Sequence, residues 1–185
     1  LKQLEDPGVR ETFSDTVNIA DFMHRFRCAN IEYVGSGLYH PVYPLTPAAD
    51  WDALHDGRNP FITHAFLHGL EVTGCLRDDW GWTPCHLGLW DGESLVAAAP
   101  GYLKANSHGE FVFDHAWAHA YQRHGLDYYP KWLGAAPYSP VTGPRLLARD
   151  DAAKRALLDA IAGFVRESGL SSAHMNFHDE ADESA

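Results

Sequence analysis

The sequence predicts an α/β fold, a mixed β-sheet covered by helices. Three observations predict it. Apolar side chains recur at helical spacing over residues 61–72 and, more clearly, over 150–168, where Ala156, Leu157, Ala160, Ile161, Phe164 and Val165 form one stripe. Between them, apolar runs at 86–90 and 95–103 flank Asp91-Gly92, a pair that closes hairpins. Short apolar runs at 132–137, 144–147 and 173–177 are strand-length. Helices interleaved with a hairpin and later strands stack as layers around one core.

The elements follow in order. Residues 1–46 read as a leader or linker. Ile19, Phe22, Met23 and Phe26 suggest a short helix over 17–26, residues 31–34 suggest a strand, and Pro41, Pro44 and Pro47 punctuate a loop. The body spans 47–178. Residues 48–54 predict a short helix that stops by Gly57. Asn59 is a cap with Pro60 at the first helical position, and that helix runs to Val72 before Gly74. Residues 80–84 read as a turn. Pro100 and Gly101 interrupt the second hairpin strand, which predicts a bulge or the close approach of another group. Residues 109–124 predict a helix with Phe113, Trp117, Tyr121 and His124 along one side. Asp150 or Asp151 caps the last long helix, which ends at Ser168 before Gly169. Residues 179–185 form an acidic tail that the sequence suggests is unstructured.

Composition narrows the functions. A chain of 185 residues is one domain in size, and its net charge of −11 repels phosphate backbones, so general nucleic-acid binding is disfavoured. Three cysteines without a CxxC spacing argue against a disulfide framework and for a reducing, cytoplasmic setting. No apolar run approaches the roughly 20 residues that span a bilayer, so no integral membrane segment is expected. The chain opens on Leu1 rather than Met, which reads as a fragment of a longer protein.

Several chemistries lack their motifs. No serine lies in a GxSxG elbow, and neither a GxxxxGK phosphate loop nor a GxGxxG turn is present. His64, His68 and Glu71 share one helical side, as do His115, His119 and Gln122, but alanine follows the first histidine where a zinc protease has glutamate, and no metal site is expected. Cys85 reads as a buried small hydrophobe rather than a nucleophile.

Polar and aromatic groups concentrate between Lys104 and Arg145. Asp114, with Glu110 as an alternative, is the candidate proton acceptor for an amine, and Tyr121 joins it as a candidate catalytic residue. Lys104, Arg123, Tyr128, Tyr129, Lys131, Thr142 and Arg145 are the candidate substrate-binding residues. Arg123 and Arg145 have the fork that clamps a carboxylate or phosphate. Such groups beside Trp117 and Trp132 suit a pocket for a polar, carboxylate-bearing ligand.

The blocks NPFITHAFL at 59–67, PGYLKANSHGEFVFD at 100–114, AWAHAYQRHG at 116–125, YYPKWL at 128–133 and PVTGPRLL at 140–147 together resemble the FemAB-like family of bacterial proteins. The resemblance covers residues 48–178. It implies a GNAT-like, three-layer α/β/α fold, this chain being one lobe of a two-lobe protein whose second lobe lies in the same longer chain. It also implies transfer of an activated acyl or aminoacyl group to a small-molecule or peptide amine acceptor, in peptidoglycan or cell-envelope metabolism. The implied donor is acetyl-CoA or another acyl donor such as aminoacyl-tRNA. The pyrophosphate loop of ordinary acetyl-CoA enzymes is not found, Arg123-His-Gly125 being too short. The alternative is a non-catalytic binding or structural lobe that acts only with a second lobe.

Overall fold

The computed structural model of the chain describes residues 31–34 and 47–183. The short helix read over 17–26 lies outside the described residues. Strand β1 (Ile31–Val34) forms where the sequence predicts a strand and pairs antiparallel with β3.

Helix α1 (Ala48–Asp52) leads to a 3-10 turn, Pro60–Ile62, and then to α2 (His64–Val72). The sequence predicts one helix over 61–72, and the structure divides it at Thr63. That residue is extended, with ψ of 147°, and its hydroxyl accepts from the Phe66 N–H, so it caps α2 anew. Asn59 caps the 3-10 turn through the Phe61 N–H, as its place before Pro60 predicts.

The hairpin is broken in both strands. One side is β2 (Thr83–Pro84) and β3 (His86–Asp91), and the other is β4 (Ser94–Ala99) and β5 (Gly101–Lys104). Residues 80–84 therefore do not form only a turn. The breaks at Cys85 and Pro100 face each other, and the Cys85 N–H still donates to Gly101 O at 2.8 Å. The single mixed sheet of the sequence reading thereby divides in two. An antiparallel sheet has the order β1-β3-β4-β7, and a mixed sheet has the order β2-β5-β6-β8. Here β6 is Lys131–Gly134, β7 is Leu147–Ala148 and β8 is Ala173–Met175. The β6–β8 pair is parallel and α4 (Asp151–Ser168) makes the crossover between them.

Pro100 has no N–H to give a ladder, and Gly101 has no side chain where one would collide. The Trp132 indole lies against Gly101, and its Nε1 donates to Cys85 O at 3.0 Å. Close approach of another group is thus the outcome at this proline–glycine pair.

Helix α4 covers one face of both sheets. Its Ala153, Leu157, Ile161 and Phe164 pack with Leu87, Ala97 and Ala99 of the first sheet and with Leu103 and Trp132 of the second. Asp150 caps α4 by accepting from the Ala153 N–H at 2.8 Å, and Gly169 ends it in the left-handed region, as the sequence predicts. On the opposite face, Trp51, Ile62 and Leu67 pack on Leu95, Ala98 and Leu147. Helix, sheet and helix make three layers. The alanines at 97–99 allow helices to approach both faces of that strand closely.

The helix expected over 109–124 starts only at His115 and becomes α3 (His115–Arg123). Gly109 and Phe111 have φ of 75° and 58°, which a right-handed helix excludes. Residues 105–114 instead fold as a loop over the second sheet. The acidic tail also departs from expectation. It forms α5 (Glu180–Glu183), and Asp182 is buried, accepting from the Arg145 N–H at 2.6 Å and from Lys154 Nζ at 3.4 Å.

Candidate functional site

Strands place side chains alternately, so Lys104 and Tyr102 of β5 share a face with their partners Lys131 and Leu133 of β6. That face is opposite α4. The loop 105–114 crosses it, and the two lysines and two acids of the loop become a buried cluster. Lys104 and Lys131 are fully buried, and Glu110 and Asp114 are 3% and 4% exposed.

Lys131 lies at the centre. Its Nζ donates to Asp114 Oδ2 at 2.6 Å, Glu110 Oε2 at 2.9 Å and Ser107 Oγ at 3.2 Å. Tyr128 Oη also donates to Asp114 Oδ2, at 2.8 Å, and Tyr129 Oη meets Ser107 Oγ at 2.7 Å. Lys104 Nζ takes a different route. It lies 3.8 Å from the centre of the Trp82 ring and donates to His108 O, which also accepts from Trp82 Nε1. Each carboxylate keeps one buried oxygen, Glu110 Oε1 and Asp114 Oδ1, without a hydrogen-bond partner among the described residues.

The electrostatics separate the two acids. Burial raises the Glu110 pKa, and hydrogen bonding to Lys131 offsets this only in part. Burial pushes Asp114 up as well, but hydrogen bonds from Lys131, Ser107 and Tyr128 together outweigh it and hold the carboxyl down to about 2. Burial draws Lys104 down to about 7 against the pull of Glu110. Burial and the Asp114 carboxylate both raise the Tyr128 hydroxyl. A group held at about 2 is a poor proton acceptor near neutral pH, and one raised by burial is a better one.

The structure thus brings together Lys104, Asp114, Tyr128, Tyr129 and Lys131. Tyr121 touches this group only through its ring, edge-on to Tyr128 at 5.2 Å. Arg123 is exposed in the last turn of α3. Arg145 is fully buried, and its guanidinium donates to the carbonyls of Asn176, Gly143, Pro144 and Val141, so it braces the loop 141–145. Thr142, on that same loop, is exposed and lines a cavity of about 470 Å³. The walls of the cavity are Leu54, Pro60, Phe61, Leu146 and Leu147, with Asp56, Arg58, Lys154 and Asp179 among its charged groups. Asn59 lies against Gly143 and joins the two loops that form it.

Sequence reasoning left a second polar centre unseen. His86 Nδ1 accepts from the Gly101 N–H at 2.9 Å, which places the ring proton on Nε2, and Nε2 meets Glu71 Oε1 at 2.8 Å. Glu71 on α2 thus reaches His86 on β3, and the rings of His64 and His68 lie 5.5 Å apart. The interrupted strand at Pro100 was the only sequence signal for this pair. The hydrogen bond from Gly101 to His86 and that from Cys85 to Gly101 also use the backbone N–H groups at the break.

A FemAB-like family model, described as peptidoglycan biosynthesis/recognition, matches residues 45–185. No curated protein and no solved structure matches the chain.

Proposed function

Because this chain belongs to the FemAB-like family of peptidoglycan biosynthesis/recognition, we propose that it is a lobe of an acyl- or aminoacyl-transferase whose acceptor is an amine on a cell-wall precursor peptide. The observation that carries the reading is the open cavity beside Thr142. Charges of both signs, Arg58 and Lys154 with Asp56 and Asp179, border an apolar wall. A short peptide offers the matching surface of carboxylate, amine and small apolar side chains. Acyl transfer needs the amine deprotonated and held against an activated carbonyl. Neither buried acid lines that cavity; of the two, Glu110, with its raised pKa and an Oε1 without a hydrogen-bond partner among the described residues, suits proton acceptance better than Asp114. Lys104, Lys131, Tyr128 and Tyr129 set the charge around it, while Thr142 lines the cavity and the buried Arg145 braces the loop that carries Thr142. Acetyl-CoA and aminoacyl-tRNA are the candidate donors, and a second lobe of a longer chain is the candidate partner.

A second reading, a recognition lobe without catalysis, is favoured by two observations. The carboxylates are sealed beneath the loop 105–114, and the N–H groups of Cys85 and Gly101, which would stabilise an oxyanion at the break, are already bonded. Calorimetry with a precursor peptide, followed by turnover assays with each donor, tests both. Binding is expected in either case, and no binding at millimolar peptide overturns both. If the lobe catalyses, Glu110→Gln lowers turnover by about 100-fold with peptide affinity unchanged. If it only recognises, neither form turns over.

A further inference from the structure

Beside the cavity, the consecutive backbone N–H groups of Arg145 and Leu146 converge on one carboxylate. Asp182 Oδ2 accepts from the Arg145 N–H at 2.6 Å and from the Leu146 N–H at 3.4 Å, and Oδ1 accepts from Lys154 Nζ at 3.4 Å. Successive N–H groups form a concavity for an anion, and an ammonium on the second oxygen completes a site for a carboxylate. Leu146 and Lys154 also line the cavity of about 470 Å³, so the receiving groups belong to the cavity as well as to Asp182. The segment that delivers the carboxylate has little apolar anchorage. Among residues 179–182 only Asp182 is buried, while Glu180 and Ala181 are exposed. Lys154 ties it twice, at Asp182 and at Ala181 O. The same segment sets Asp179 on the cavity rim. Were it to leave, two carboxylates would leave together, and the rim would keep Arg58 and Lys154 against Asp56.

From this geometry we infer that Asp182 fills, from within the chain, a site for the free carboxylate of a peptide or N-acyl amino acid, and that such a ligand displaces segment 179–183 on entering the cavity. The end of a peptide presents what Asp182 presents, one carboxylate with two oxygens to engage. The apolar wall of Leu54, Pro60 and Phe61 takes the small side chain next to it. A tethered carboxylate competes at an effective concentration on the order of millimolar or above. The segment is therefore an autoinhibitory strap, and ligand binds only when it outcompetes the strap. The inference uses the cavity and no transfer step.

Hydrogen exchange of the full chain titrated with N-acetylalanine tests it. The expected result is exchange about ten-fold faster over 179–183, with the Arg145 and Leu146 amides still protected because the ligand takes them over. Asp182→Ala removes the competitor and is expected to bind N-acetylalanine about ten-fold more tightly than the parent, read by calorimetry. Unchanged exchange over 179–183 at the solubility limit of the ligand overturns the inference. It is overturned even if Asp182→Ala then binds the ligand, because the carboxylate would only fill the hole left by the substitution and Asp182 would be a fixed anchor. A folded variant that binds no tighter than the parent overturns it as well. If the variant does not fold, the exchange experiment on the parent decides alone. Inorganic phosphate is titrated in parallel, and displacement by phosphate but not by N-acetylalanine overturns the carboxylate assignment. N-acetylalanine has no amine to accept an acyl group, so the outcome is separate from turnover and from the transferase reading.

Discussion

Lys131 decides the state of every polar group around it, because three hydrogen bonds end on one ammonium. Replacing it with methionine leaves Asp114 and Glu110 buried without their cation. Lys131→Met is expected to lower stability by about 3–5 kcal/mol, measured by urea unfolding. Lys104 gives a pH signature of its own. Its folded-state pKa is drawn down to about 7 from the usual 10.5, so between those values the unfolded chain holds a proton that the folded chain lacks. Stability therefore rises with pH across that window. Asp114 behaves as a depressed acid. Its contribution is present above pH 3.8 and is lost as the pH falls toward about 2. Unfolding curves across pH should show Lys104→Met flattening the slope between pH 7 and 10.5 while the acid limb remains. Much of this centre was legible in the sequence, since Lys104, Glu110, Asp114 and Lys131 lie in one short stretch whose strands bring them together. What was not legible was that they satisfy one another. A sequence shows which groups are near and does not show which are sealed from water.

At the scale of elements, local rules held where they were strong. Asp150 and Gly169 bound α4 because a cap and a left-handed glycine act within a turn of the helix end. They failed at α3, where the pattern of Phe113, Trp117 and Tyr121 predicted a longer helix. Inward bonding of Glu110 and Asp114 outweighs that periodicity and holds residues 105–114 as a loop. The interrupted strand was legible from Pro100 and Gly101, but its occupant was not, because Trp132 comes from a later strand. The fit there is tight. A Cβ at position 101 would lie 2.3 Å from the Trp132 ring, far inside van der Waals contact distance, and that ring is fully buried. Gly101→Ala is expected to destabilise by about 3 kcal/mol, read as a lower urea midpoint with an unchanged slope.

Across the whole molecule, the layered α/β organisation followed from the order of elements, whereas contacts between distant parts did not. The Asp182 carboxylate reaches the Arg145 amide 37 residues away, and no local pattern in the acidic tail marks it for burial. The Glu71–His86 pair joins a helix to a strand across 15 residues for the same reason. The broken hairpin has a consequence for how the protein comes apart. Each of its two strands belongs to both sheets, and α4 rests on both. Neither sheet can open while the other stays closed, because opening either one exposes Trp132 and strips the partners from Cys85 and His86. The two sheets thus form a single cooperative unit. Amide protons on either side of the interruption would exchange with solvent at a common rate, set by global unfolding alone.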